Sequence, residues 1–255
     1  DFTGDPLLCP MKRCGDGIDE SCRGSGANDP ANDTVCVIDA DCDVVVELVG
    51  GVHCAGAYVR RAIDLGRDVV TANKALLAAE GRELFAAGRR RGVRIGFEAS
   101  VCGGVPVVRA LQRGLAGDSI VSIEAILNGT CNYVLTRMED DGLELAEALG
   151  EAQRQGFAEV DPSLDIDGDD AAQKLRILAG VAFDVPVRSL RVHGIRDVTR
   201  AEVEGARSRR SVVRHVASGR RVGGGLELRV ERRELPEQHP LAAVKGAQKK
   251  HLVVI

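Results

Sequence analysis

The sequence predicts an α/β fold in two parts: a partial Rossmann-type parallel sheet, then an α+β substrate or dimerisation domain with a mixed sheet. Three observations predict it. Between residues 43 and 98, short β-branched runs alternate with Ala- and Leu-rich stretches of helical period, which implies parallel strands joined by crossover helices. Behind Gly103 and Gly104 that alternation gives way to a succession of helices. Further on, segments 211–217 and 226–231 alternate apolar and polar residues with period two, as half-exposed strands do.

Taken in order, residues 1–42 are rich in Gly, Asp, Cys and Asn without a sustained apolar period, and read as an irregular segment. Residues 43–49 (DVVVELV) form the first strand, followed by Gly50-Gly51 and a helix to about 65. A second strand covers 68–71, a helix 74–91 and a third strand 93–98. The second part opens with a helix to about 115 and a strand over 119–127. Helices follow near 130–138, 143–155 and 169–183, before the two alternating strands.

Composition narrows the function classes. The 255 residues can bury a substantial core, and 44% apolar with 28% charged residues is ordinary for a globular protein. The net charge of −4 gives no argument for nucleic acid, and the arginines after Arg188 alternate with glutamates rather than with base-stacking aromatics. No apolar run approaches the roughly 20 residues that span a bilayer and no signal-peptide pattern opens the chain, so a cytoplasmic protein is expected. Five of the eight cysteines, Cys9, Cys14, Cys22, Cys36 and Cys42, precede the first strand, but none forms a Cys-x-x-Cys pair. Cys54, Cys102 and Cys131 read as small buried hydrophobes.

Four motifs carry chemistry. Thr71-Ala72-Asn73-Lys74 closes a strand and opens a helix, placing polar groups at the carboxyl edge of the sheet, where open α/β folds bind ligands; alone it reads equally as a capped helix start. Glu98 to Pro106 contains Gly103-Gly104, either a tight turn or a loop whose carbonyls could ligate a hard cation. Asn128-Gly129-Thr130 lies between a strand and a helix, so its amides could receive an anion, with Thr130 a candidate cap. The run from Gly156 to Lys174 gathers acids on a loop and then places Asp170 and Lys174 one helical turn apart. On an exposed face that pair is worth about 0.3–0.5 kcal/mol; at a cleft it can move a proton onto or off an alcohol oxygen. The acidic run is no EF-hand loop, because Asp170 and Arg176 stand where glycine and glutamate are needed.

These motifs, in this order and with a His239-Pro240-Leu241-Ala242 stretch near the end, resemble homoserine dehydrogenase over about residues 43–246. The resemblance implies NAD(P)-dependent interconversion of L-homoserine and L-aspartate 4-semialdehyde in threonine, methionine and isoleucine synthesis. It implies a partial nucleotide-binding domain over 43–103, a substrate-binding catalytic domain over 104–246 and a truncated return to the nucleotide domain over 247–255. Lys174 would exchange the hydroxyl proton beside Asp170, while Glu159, Asp165, Thr130 and Gly129 would hold the amino acid. Lys74, Gly156 and Gly50 would face NADP or NAD. A sodium-type site would use Glu98, Val101, Gly103 and Val105. A homodimer through the second domain is implied as well.

The glycine fingerprint of a dinucleotide fold is not found behind an apolar strand; Gly24-Ser25-Gly26 has no strand before it and Asp29 where a third glycine should fall. By the resemblance, the chain starts midway through the nucleotide domain. A non-catalytic remnant that binds an amino acid or pairs with an intact subunit is the alternative reading.

Overall fold

The computed structural model describes residues 43–183, 185, 187–247 and the main chain of 250–254. The irregular segment expected over 1–42, with its five cysteines and Gly24–Gly26, lies outside the described residues. The chain divides into two compact units, Asp1–Gly104 and Val105–Ile255.

In the first unit, β1 (Val44–Glu47), α1 (His53–Asp64), β2 (Asp68–Thr71), α2 (Lys74–Arg91) and β3 (Ile95–Gly96) alternate. The strands lie in the order β1-β2-β3, both pairs parallel. Val45 and Val69 bury one face of the strands against Ala55, Val59, Ala62 and Ile63 of α1 and Leu76 and Leu84 of α2. This is the crossover arrangement that a β-branched strand followed by an amphipathic helix dictates. Asn73 caps α2 by accepting the Leu76 N–H at 3.0 Å. The third strand is two residues long rather than the expected six, because the chain turns into a 3-10 segment, Glu98–Ser100, tied back by the Ser100 hydroxyl to the Thr71 carbonyl.

Glu47, an acid at the end of an apolar strand, is fully buried. Its carboxylate accepts the Thr71 hydroxyl at 2.6 Å and the amides of Val49 and Gly50 at 2.8 and 3.1 Å. It thereby fixes the carboxyl ends of β1 and β2, and with them the turn that contains Gly50 and Gly51.

The second unit contains α3 (Val107–Arg109), which widens into a π turn over Ala110–Gly114, then β4 (Ser122–Ile126), α4 (Gly129–Asp141), α5 (Leu145–Arg154), α6 (Ser163–Ile166) and α7 (Asp169–Ala182). After these come β5 (Val187–Val192), α8 (Arg200–Ser208), β6 (Ser211–Val222), β7 (Gly225–Pro236) and β8 (Lys250–Val254). Its sheet has the order β5-β7-β6-β4-β8, with β5 parallel to β7 and every other pair antiparallel. The two strands expected at 211–217 and 226–231 are a hairpin of twelve residues on each side. Helices α4, α5 and α8 share a core of Val134, Leu135, Met138, Ala148, Val203 and Ala206.

The segment 247–255, expected to return to the first unit, instead supplies β8, which runs antiparallel along β4. The preceding turn explains the delivery. Asn132 of α4 donates to the carbonyls of Val244 and Gly246 at 3.1 and 2.8 Å, and the Gly246 N–H donates to the Thr136 hydroxyl at 3.1 Å. Fully buried Arg214 donates to the Ala242 carbonyl at 2.9 Å and to Glu139 at 2.6 Å. The turn thus leaves the chain beside the open edge of β4.

Replacing Glu47 with alanine leaves the Thr71 hydroxyl and two amides without their acceptor, and is expected to destabilise the first unit by about 2–4 kcal/mol. Urea unfolding and faster hydrogen exchange at Val49 and Gly50 would register it; unchanged exchange there would refute the role.

Candidate active site

Lys174 and Asp170 occupy one face of α7, and the surface-pair reading does not hold for them. Lys174 Nζ lies 2.5 Å from Asp170 Oδ2, with side-chain exposures of only 12% and 9%. Nζ also donates to the Leu127 carbonyl at 3.1 Å, where β4 ends. Asp170 stands in the first turn of its helix, whose free amides and dipole favour a negative charge.

Asn128 joins this pair to the acidic loop. Its amide nitrogen donates to Asp170 Oδ2 at 2.9 Å and to Asp165 Oδ1 at 2.6 Å. Its amide oxygen accepts the Cys131 N–H at 2.7 Å and so caps α4. The cap expected from Thr130 therefore belongs to Asn128, because Asn128 alone has the extended backbone that precedes the helix. Thr130, nearly buried, donates its hydroxyl to the Phe157 carbonyl at 2.7 Å, and the Phe157 ring packs at 4.8 Å from Tyr133. Those two contacts anchor the connection carrying Gly156 and Glu159 to α4. Glu159 itself is exposed, its carbonyl accepting from Gln153 at 3.1 Å.

Cys131 is fully buried, and its thiol donates to the Asp165 carbonyl at 3.1 Å. Burial pushes the thiol well above its ordinary range, and the charges of Asp165 and Asp170 push the same way. It remains a thiol, in keeping with a packing role.

Behind the acidic loop lies His215, 2% exposed and 3.3 Å from the His193 carbonyl. Gly168, at φ +94°, caps α7 between this ring and Val192; an added Cβ would meet Val192 at 3.1 Å and His215 Nε2 at 3.4 Å. Burial lowers the His215 pKa from its ordinary 6.5 to about 4, with a smaller opposing push from the His193 hydrogen bond.

The structure therefore brings together Lys174, Asp170 and Asp165 through Asn128, with Gly129 and Thr130 at the start of the adjoining helix. In the first unit, Lys74 is the first residue of α2 and half-buried, and Gly50 is exposed at φ +82°. Gly156 is exposed at φ +75° in the second unit. The sodium expectation gains no support: the Val105 carbonyl accepts the Val107 N–H at 2.7 Å and the Glu98 carbonyl the Val101 N–H at 3.4 Å. Among the described residues no group of three or more His, Cys, Asp or Glu could hold a metal ion. Gly103 belongs to the first unit, whose last residue is Gly104, and Val105 opens the second.

Sequence reasoning missed the bridging side chain of Asn128, the buried acid Glu47 and His215. The last two had a signal. Glu47 ends a β-branched run before two glycines, and period two places His215 with Val213 and Ala217 on one face of its strand.

A parallel α/β unit of crossover strands and helices and an α+β unit with a buried lysine–carboxylate pair define the class of this chain, a two-unit α/β protein. The family model described as homoserine dehydrogenase matches residues 106–254, and that of the homoserine dehydrogenase NAD-binding domain matches 23–98. The chain belongs to the homoserine dehydrogenase family. It is 40% identical to homoserine dehydrogenase of Pseudomonas aeruginosa over 247 residues, covering 92% of this chain and 57% of the relative. Against the Bacillus subtilis enzyme it is 40% identical, covering 81% and 48%. The crystal structure of a homoserine dehydrogenase from Thiobacillus denitrificans aligns with a TM-score of 0.81 at 42% identity, covering 84% of this chain and 50% of that one. A hyperthermophilic archaeal homoserine dehydrogenase in complex with NADPH aligns at 0.71 and 32% identity, covering 83% and 61%. The chain spans about half the length of the curated relatives it matches.

His215 is neutral when folded, so the unfolded chain takes up a proton at this site first as pH falls. Stability from this group is fully present above 6.5 and is lost as pH falls toward about 4, a change of about 3 kcal/mol. His215→Gln is expected to abolish that component in urea unfolding measured between those pH values. The nearby charges of Arg232, His193 and Asp170 remain in both proteins.

Proposed function

We propose that this chain provides the substrate site of a homoserine dehydrogenase, interconverting L-homoserine and L-aspartate 4-semialdehyde with NADP or NAD. The observation that carries the reading is the buried contact of Lys174 with Asp170, held by Asn128 against Asp165. Lys174 takes up the hydroxyl proton on oxidation and returns it on reduction, where its charged form is the useful one. Asp170 and the Leu127 carbonyl fix the direction of Nζ. Glu159 receives the substrate ammonium, Asp165 assists, and the amides of Gly129 and Thr130 receive the carboxylate at the start of α4.

When bound, the nicotinamide accepts or supplies the hydride at the carbon bearing the hydroxyl. The first unit fits such a group: Gly50 and Gly51 are exposed at the carboxyl end of β1, with no atom within 4 Å of a Cβ added to either. Lys74 and Gly50 are its proposed contacts in this unit, and the role of Gly156 is proposed on the family likeness alone. No step is assigned to sodium. A homodimer through the second unit and a place in the cytoplasm are proposed on the family likeness; among the described residues no helix is long and apolar enough to cross a membrane.

Purified chain is expected to oxidise homoserine. Lys174→Met should lower kcat by about 10²–10⁴-fold, and Lys174→Arg should not restore it, since a guanidinium does not give up its proton. NADPH affinity, followed by fluorescence titration, should stay unchanged in both. A wild-type rate in Lys174→Met refutes the reading, and absent NADPH binding in the parent chain favours a non-catalytic relative.

A further inference from the structure

The acidic segment from Ser163 to Asp170 is braced by a turn that the proposed chemistry does not use. Directly after β5, the Ile195 N–H donates to the Ile166 carbonyl at 2.7 Å. That bond requires the main chain at Gly194 to lie against α6. A Cβ there would overlap the Ile166 carbonyl oxygen and stand 2.6 Å from both Cα and the carbonyl carbon of Asp167. All are main-chain atoms, so no side chain can swing aside to make room. Two residues on, Arg196 grips Asp167 with two hydrogen bonds of 2.6 and 2.7 Å. Gly168 then turns at φ +94° against Val192 and His215, and α7 begins. The braced residues, Ile166 to Gly168, lie between Asp165 and Asp170, the two carboxylates that Asn128 spans.

We propose that Gly194 and Arg196 are positioning residues: by holding Ile166–Gly168 against the end of β5 they set the separation of Asp165 from Asp170, and through Asp170 the direction of the Lys174 ammonium. The inference rests on the reading of Lys174 given above but can fail separately from it. A side chain at Gly194 pushes α6 outward, Asn128 can no longer reach both carboxylates, and Lys174 loses its fixed partner. Loss of the Arg196 fork loosens the same segment by less, because that ion pair is half-exposed.

The test is competitive acetylation of the whole chain with acetic anhydride, read by mass spectrometry at Lys174 relative to Lys245 of the same unit, in Gly194→Ala, Arg196→Gln, Arg196→Lys and the control Gly180→Ala. The control adds a methyl to α7 where nothing lies within 4 Å. Relative labelling of Lys174 is expected to rise about tenfold in Gly194→Ala and about threefold in Arg196→Gln, to fall back partway in Arg196→Lys, and to stay level in the control. In parallel, kcat/KM for homoserine should drop by up to about a hundredfold in Gly194→Ala while NADPH affinity holds. Folded variants that label Lys174 as the wild type does, whatever their Tm, overturn the proposal. Should Gly194→Ala not fold, the two Arg196 variants decide it. The expected labelling pattern in a chain that never turns over homoserine leaves the brace standing and sinks the reading of the activity.

Discussion

One oxygen of Asp170 accepts both the Lys174 ammonium and the Asn128 amide in a place nearly closed to water. A buried carboxylate is tolerated only when its charge is matched and its lone pairs are filled, and removing a single partner from such a group typically costs about 3–5 kcal/mol. The donors come from different elements. Asn128 holds the end of β4 to the start of α4, Lys174 reaches back to the Leu127 carbonyl, and Asp165 closes the ring from α6. Rotation or sliding of any of these helices would strand a charge, so the geometry that chemistry requires is also what electrostatics enforces.

Much of this was legible because it is local. Strands β1 and β2 and helices α1, α2, α4, α5 and α7 follow from apolar period and from caps that lie next to them in sequence. The pairing of Asp170 with Lys174 follows from helical spacing alone. What spacing could not give was burial, since the same two residues on an exposed helix would be a weak surface pair. Only the packing of α7 on α6 and the sheet, with Asn128 reaching Asp170 from the start of α4, separates the two cases.

The misses have specific causes. Strand β5 is an edge strand, exposed along almost its whole length, so its residues carry no alternation to read. Helix α8 is short and highly charged, and its signal was the Thr199 cap on the Glu202 amide rather than an apolar stripe. Asn128 is a residue type that caps helices, yet Thr130 two residues on competed for that reading; that its other amide atom spans 37 and 42 residues to reach two carboxylates is a tertiary fact. Glu47 is similar, an acid whose acceptors are filled by the next strand and its own turn.

The turn before β8 is gripped mainly by its carbonyl oxygens, with Arg214 on Ala242 and Asn132 on Val244 and Gly246. Every amino acid presents that same oxygen. That grip alone therefore asks no particular side chain of the turn, whose choice is narrowed instead by the burial of Leu241, Ala242 and Val244 and the left-handed backbone of Gly246, whereas Asn132 on α4 and Arg214 on β6 grip through their own side chains.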